Sequence, residues 1–209
     1  MRVAMVKNQL RANDVSDPRV VAAVEATPRE DFVPANRRSL AYMDGAIPLG
    51  NGRALAPPMA TARLLTEAGL RPVDRVLLVG AASGYAAALL AQLAGEVTAL
   101  EEDEALVASA RAALQGYEKV NIVSGVLTNG WQKGAPYDVI VIDGAVGVLG
   151  EAIPAQLAEG GRLVTGLVER GVTRLAQGRK AGGSVGLVTF ADVETVILPG
   201  FEKPSGFTF

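Results

Sequence analysis

Gly80, Gly84 and Glu101, the last 21 positions after Gly80, are the residues whose types and spacing could do chemistry. The stretch Arg75–Tyr85 reads RVLLVGAASGY. Its apolar run has the pattern of a buried parallel strand and breaks at Gly80. Ser83 and Gly84 then lead into YAAALLAQLA, a strong helix former. A tight glycine turn at such a junction lets a ligand approach backbone N–H groups at a helix N-terminus. A second strand, Glu96–Leu100, ends in Glu101, whose carboxylate is placed to accept two hydrogen bonds from a ribose diol. Strand, turn, helix, strand and acid together describe a nucleoside-binding crevice. The plainer readings are a tight strand–helix connection for the glycines and a solvated acid for Glu101, which has Glu102, Asp103 and Glu104 beside it.

A dinucleotide fingerprint needs glycines at i, i+2 and i+5. Here Ala82 stands at i+2 and Tyr85 at i+5, which argues against NAD. Glycines at i and i+4 are closer to the turn of class I S-adenosylmethionine methyltransferases, where no pyrophosphate has to be cradled.

The rest of the composition narrows the chemistry. The chain has 209 residues, 49% of them hydrophobic, which is the length of one domain with a sizeable core. A net charge of −2 offers no electrostatic case for nucleic acid. Without cysteine there is no disulfide, thiol nucleophile or thiolate metal site. Without histidine the commonest general base and metal ligand are missing. Catalysis must then come from carboxylates, hydroxyls, lysine, backbone dipoles or positioning. The N-terminal MRVAMVKNQLR is charged and amphipathic, unlike a signal peptide, and no apolar run is long enough to span a membrane. A cytoplasmic protein is the resulting expectation.

The elements that must position these residues follow from periodicity and punctuation. Val3, Val6 and Leu10 share one face of a first helix, and Asp17–Pro18 starts a second over Arg19–Ala26. Residues 44–58, rich in Gly and Pro, form a structured loop before a helix at Thr61–Gly69. Strands are expected at 75–79, 96–100, 120–124, 137–142 and 161–166, with helices at 84–94, 103–115 and 149–158. That alternation is a parallel, doubly wound sheet. Thr173–Gln177 and Val185–Phe190 read as an antiparallel hairpin, and Val193–Leu198 as a last strand. Trp131 is expected to pack under the loop before the fourth strand. The tail FEKPSGFTF holds three of the five phenylalanines, Phe201, Phe207 and Phe209. At least two rings should be buried, against this chain or across a homodimer.

The assembled segments resemble the protein-L-isoaspartate (D-aspartate) O-methyltransferases. The resemblance covers nearly the whole chain and rests on NQLRA at 8–12, TPREDFVP at 27–34, AIPLGNG at 46–52, LLVGAASGY at 77–85, APYDVIVI at 135–142 and LAEGGRLV at 157–164. It implies an α/β, Rossmann-like fold with a seven-stranded, mostly parallel sheet and an antiparallel C-terminal hairpin. One domain is expected over 1–209, with a helical segment and substrate loop at 1–72, a cofactor core at 73–166 and C-terminal strands and tail at 167–209. It also implies methyl transfer from S-adenosylmethionine to the α-carboxylate of isoaspartyl residues in damaged proteins. The ester then cyclises to a succinimide, whose hydrolysis returns some normal aspartate. A carboxylate is already a nucleophile at neutral pH, so positioning can carry the catalysis and histidine is dispensable.

The resemblance places the cofactor at Gly80, Ala82, Ser83, Gly84, Glu101, Val126 and Leu127, with no metal. Four stretches depart from the family pattern. Ala56 stands where T-I-S-Q-P has its serine, beside the reacting carboxylate. Leu78 replaces the acid of L-E-I-G-T-G-S-G, and Ala82 replaces its second glycine. Gly125-Val126-Leu127 stands for the G-D-G that meets the adenine end, leaving no polar side chain there. Asp143-Gly144-Ala145 ends the fourth strand where small residues such as T-A-A are usual. A strand-end aspartate faces the crevice, where Asp143 could act as a base or take a divalent metal; its plainer role is an N-cap or loop-stabilising acid. Three readings follow. They are an isoaspartyl methyltransferase of reduced activity, a non-catalytic relative serving as a protein-binding or structural module, and a small-molecule O-methyltransferase using Asp143.

Overall fold

The computed structural model describes residues 1–202. A short helix α1 (Arg2–Met5) widens into one loose turn over Val6–Leu10. Val6 and Leu10 are fully buried, while Val3, expected on the same face, is 57% exposed. Helix α2 (Pro18–Ala26) has Pro18 in its first turn, and its N-cap Asp17 accepts the Arg19 N–H at 2.8 Å. The Gly/Pro-rich loop contains an antiparallel hairpin, β1 (Ile47–Gly50) and β2 (Arg53–Leu55), which pairs with no other strand among the described residues. Helix α3 (Pro58–Glu67) begins a turn earlier than expected because Pro58 is preorganised for a first helical turn.

The alternating segment then runs β3 (Arg75–Val79), α4 (Tyr85–Leu93), β4 (Glu96–Glu101), α5 (Glu104–Ala113), β5 (Val120–Ser124), β6 (Tyr137–Val146), α6 (Ala152–Ala155), β7 (Leu157–Glu169), β8 (Val172–Ala181) and β9 (Ser184–Ala191). These seven strands form one sheet in the order β5-β4-β3-β6-β7-β8-β9. The first five in sequence are parallel, and β8 and β9 continue the sheet antiparallel. The alternate pleat of β3 sorts its apolar run onto two faces. Val76 and Leu78 pack with α3 and α4, while Leu77 and Val79 join a second core with Ile140, Ile142, Leu163 and Phe201.

Three expectations need correction. The helix expected at 149–158 is only Ala152–Ala155, because Tyr137 N–H takes the Gln156 carbonyl at 2.9 Å and draws Leu157 into β7. The fourth strand runs to Val146 rather than stopping at 142, so Asp143 lies within it. Val193–Leu198 is not a sheet strand. Because β3 pairs with β6 only as far as Ile142, the free edge at Ala145 is met by a single bridge from Ile197.

Phe201 is buried, 2% exposed, and its carbonyl accepts the N–H groups of Gly147 and Val148. Phe207 and Phe209 lie outside the described residues. Trp131 is partly buried against the second core. Among the described residues no helix is long and apolar enough to cross a membrane.

Candidate active site

The strand order reverses between β3 and β6, so the carboxyl ends of these strands border the crevice where open α/β sheets bind ligands. Gly80, with φ +80°, and Ala81 both donate to the Leu100 carbonyl at 3.0 Å, which seats the turn on β4. Ala82 adopts φ +50°, a left-handed conformation uncommon for a residue with a Cβ. Its N–H reaches Glu101 Oε2 at 2.7 Å, which holds that conformation in place. Gly84, with φ +101°, opens α4; a Cβ there would lie 2.8 Å from Leu114. Ser83 is buried and donates to the Phe32 carbonyl.

Glu101 is brought to this turn as the sequence implies, but not as a solvated acid. Its side chain and that of Arg53 are 0% and 4% exposed. Arg53 Nη2 donates to Oε2 at 2.6 Å and Nε to Oε1 at 3.3 Å. The N–H groups of Glu102 and Asp103 add bonds to Oε1 at 3.0 and 3.2 Å. The N-cap of α5 is Asp103, which accepts from Ala105 and Leu106. Asn51, at the tip of the hairpin, donates to the other Asp103 oxygen at 2.9 Å. The β1–β2 hairpin is therefore fastened across the crevice at two points.

A second buried polar group lies under the segment that leaves β2. The Arg29 guanidinium stacks over Tyr85, 4.5 Å from the ring centroid, and Nη2 donates to the Ala56 carbonyl at 2.6 Å. Its Nε and Nη1, like the Tyr85 hydroxyl, have no partner among the described residues. Burial pushes the guanidinium below its usual range and the Tyr85 phenol above its own. Asp143 is 4% exposed and accepts the Thr61 hydroxyl at 2.8 Å. Burial lifts its carboxyl to about 6 against the pull of Thr61, Arg29 and Arg53. The register of β6 against β7 is irregular between Val141 and Ala145, the stretch that holds Asp143. Among the described residues Asp143 caps no helix, and no three His, Cys, Asp or Glu side chains converge on a common point.

Ala56 itself is buried, 2% exposed. Beyond β5, Val126 is 55% exposed at the rim, whereas Leu127 is fully buried in the second core. A cavity of about 350 Å³ opens beside Pro57 and Met59, lined on its far side by Val193 to Val196.

This arrangement has known counterparts. The sequence model of Protein-L-isoaspartate(D-aspartate) O-methyltransferase matches residues 1–202. The chain belongs to that family. A Protein-L-isoaspartate O-methyltransferase 1 of Rhodopseudomonas palustris is 42% identical over 205 residues, covering 96% of this chain and 84% of its own. A Protein-L-isoaspartate O-methyltransferase of Roseiflexus castenholzii is 39% identical, covering 95% of this chain and 92% of its own. Among solved structures, a protein-L-isoaspartate O-methyltransferase superposes with a TM-score of 0.83 at 23% identity, over 97% of this chain and 67% of its own. One from Plasmodium falciparum, in complex with S-adenosyl-L-homocysteine, superposes with a TM-score of 0.80 at 19% identity, over 94% of this chain and 97% of its own. At those identities the structural likeness establishes the isoaspartyl methyltransferase fold.

Within that fold, the site residues read from the sequence do not all gather. Gly80, Ala82 and Glu101 are tied together, Val126 lies at the rim, and Ser83 and Leu127 face other partners. Arg53, Arg29 and Thr61 were not singled out by sequence reasoning. For Arg53 a signal existed, since it is the one charged residue in 45–58.

Proposed function

We propose that the protein methylates the α-carboxylate of isoaspartyl residues in damaged proteins, using S-adenosylmethionine, at a rate lowered by its Ala56. The observation that carries this reading is the family match over residues 1–202, together with the glycine turn, Glu101 and the Ala56 segment at one end of the sheet. S-adenosylmethionine supplies an electrophilic methyl group when bound. The residues present suit its nucleoside in type: a glycine turn beside a strand-end carboxylate. Gly80 to Gly84 and Glu101 would hold it, with Val126 offering an apolar surface for the adenine.

The chain's own contribution is positioning. The substrate carboxylate needs no base, which agrees with a site free of histidine. Arg29 stands behind the Ala56 carbonyl and fixes the segment that carries Ala56. The cavity between Pro57 and Val193–Val196 borders the same segment and is the route we assign to the isoaspartyl peptide. Ala56 leaves the reacting carboxylate without a hydroxyl to orient it. Misplacement by about 1 Å costs on the order of a hundredfold in rate. The fit is to a protein repair enzyme of the cytoplasm working without nucleic acid or membrane, with the homodimer as its one open assembly.

Transfer of tritiated methyl groups to an isoaspartyl peptide and to its aspartyl counterpart tests the reading. Base-labile incorporation into the isoaspartyl peptide alone is expected, at a low rate that Ala56→Ser raises. Incorporation into neither peptide, by either protein, would overturn it. The saturated carboxylate of Glu101 favours a second reading, a non-catalytic relative that keeps the fold as a binding module. Absence of S-adenosylhomocysteine binding in a calorimetric titration would select that one.

A further inference from the structure

Glu101 accepts five N–H donors, two from Arg53 and one each from Ala82, Glu102 and Asp103. An ionised carboxylate offers about four lone-pair positions. Nothing is left for a ribose diol while Arg53 stays. The three backbone donors belong to the turn and to the start of α5, so they are fixed parts of the scaffold. Arg53 is the movable one. We propose that Arg53 gates the nucleoside site: its guanidinium occupies the two-hydrogen-bond position of the ribose diol on Glu101, and an adenosyl ligand enters only after the tip of the β1–β2 hairpin shifts and the Arg53 side chain swings out.

The hairpin is built for such a movement. Among the described residues it pairs with no further strand; Ile47 and Leu55 anchor its base in the main core, which leaves the tip as the part able to move. Its tip, Gly50-Asn51-Gly52, is exposed, and a Cβ placed on either glycine would meet nothing within 4 Å. All three tip residues have positive φ, at +109°, +49° and +73°. The tip is thus free of packing, and its attachment to the crevice consists of Arg53 on Glu101 and Asn51 on Asp103. With Arg53 in place the crevice floor is closed, since every residue from Gly80 to Tyr85 is buried, as is Glu101. Releasing the guanidinium uncovers a carboxylate already oriented by three backbone N–H groups. The cost of that release lowers the apparent affinity by the fraction of molecules that are open.

This inference rests on the nucleoside reading of the site, and the experiment separates the two. S-adenosylhomocysteine is titrated calorimetrically into the native protein, Arg53→Gln, Arg53→Ala and Glu101→Gln. Both Arg53 variants should bind about tenfold more tightly or better than the native protein. Glu101→Gln should bind more weakly than any of them. Native binding that is unchanged or weakened by the Arg53 substitutions, but lost in Glu101→Gln, would leave the site reading standing and overturn the gate. No binding by any of the four would overturn both. Stopped-flow fluorescence of Trp131, which lies beside Gly125 at the end of β5, supplies a test in the native protein that does not depend on any variant folding. The observed rate should level off at high ligand concentration, where opening limits it. A rate rising linearly throughout would overturn the gate.

Discussion

Arg29 and Ala56, 27 residues apart, are joined by a 2.6 Å hydrogen bond from the guanidinium Nη2 to the backbone carbonyl, and both are buried. Arg29 also stacks on Tyr85, the first residue of α4. One side chain therefore connects the turn after α2, the segment leaving β2 and the helix that follows the glycine turn.

That connection depends on a planar, delocalised cation. Arg29→Lys keeps a charge in the interior but loses the flat face over Tyr85 and the reach to Ala56. Arg29→Met removes the charge and keeps most of the volume, and replacing a buried ion by an apolar group is often well tolerated. Lysine should therefore cost more than methionine, by about 1–3 kcal/mol in urea unfolding. The reverse order would mean that the positive charge beside Asp143 outweighs its burial.

Ala56→Ser combined with Val126→Asp should raise isoaspartyl methyl transfer by on the order of tenfold or more, since positioning errors carry large rate penalties. Val126 is 55% exposed, so its substitution should change stability by no more than about 0.5 kcal/mol. A methyl-transfer assay with matched thermal melts checks both statements. An unchanged rate in a stable double variant would place the limitation elsewhere.

Asp143 makes stability depend on pH with a definite sign. Its carboxyl is lifted by burial from 3.8 to about 6, so the folded state holds this proton more tightly than the unfolded state. Its contribution is best at low pH, falls as pH rises through about 4 to 6, and is level above that. The fall corresponds to about 3 kcal/mol. Asp143→Asn, which keeps an acceptor for Thr61, should lack this fall and be the more stable protein at pH 8 in urea unfolding. If the native protein instead gained on the variant as pH rose, its ionised carboxylate would be paired with Arg29 or Arg53.

Phe201 is buried in the second core with Leu198, Ile142 and Val146. Phe201→Ala should destabilise the protein by about 3–5 kcal/mol, read as a lower melting temperature. A melting temperature unchanged within error would show that the ring contributes no packing in solution.

The amino-acid sequence by itself determined the parallel sheet, because RVLLV, EVTAL and YDVIVI are dominated by apolar residues on both alternating faces, and only strands covered on both faces need that. It determined the glycine turn as well, since Gly80 and Gly84 occupy positive φ with side chains packed against them. Family membership was legible in six segments whose order and spacing no local rule explains. What only the tertiary structure decided is who satisfies the polar groups at the site. Arg53 meets Glu101 across 48 residues, Arg29 meets Ala56 across 27, and Thr61 meets Asp143 across 82. Hydropathy and spacing report which residues are buried along an element. They carry no record of which buried charge faces which, because that depends on how separate elements cross in space. The same limit explains Val193–Leu198, a good strand by composition whose neighbour offers it an edge only at Ala145.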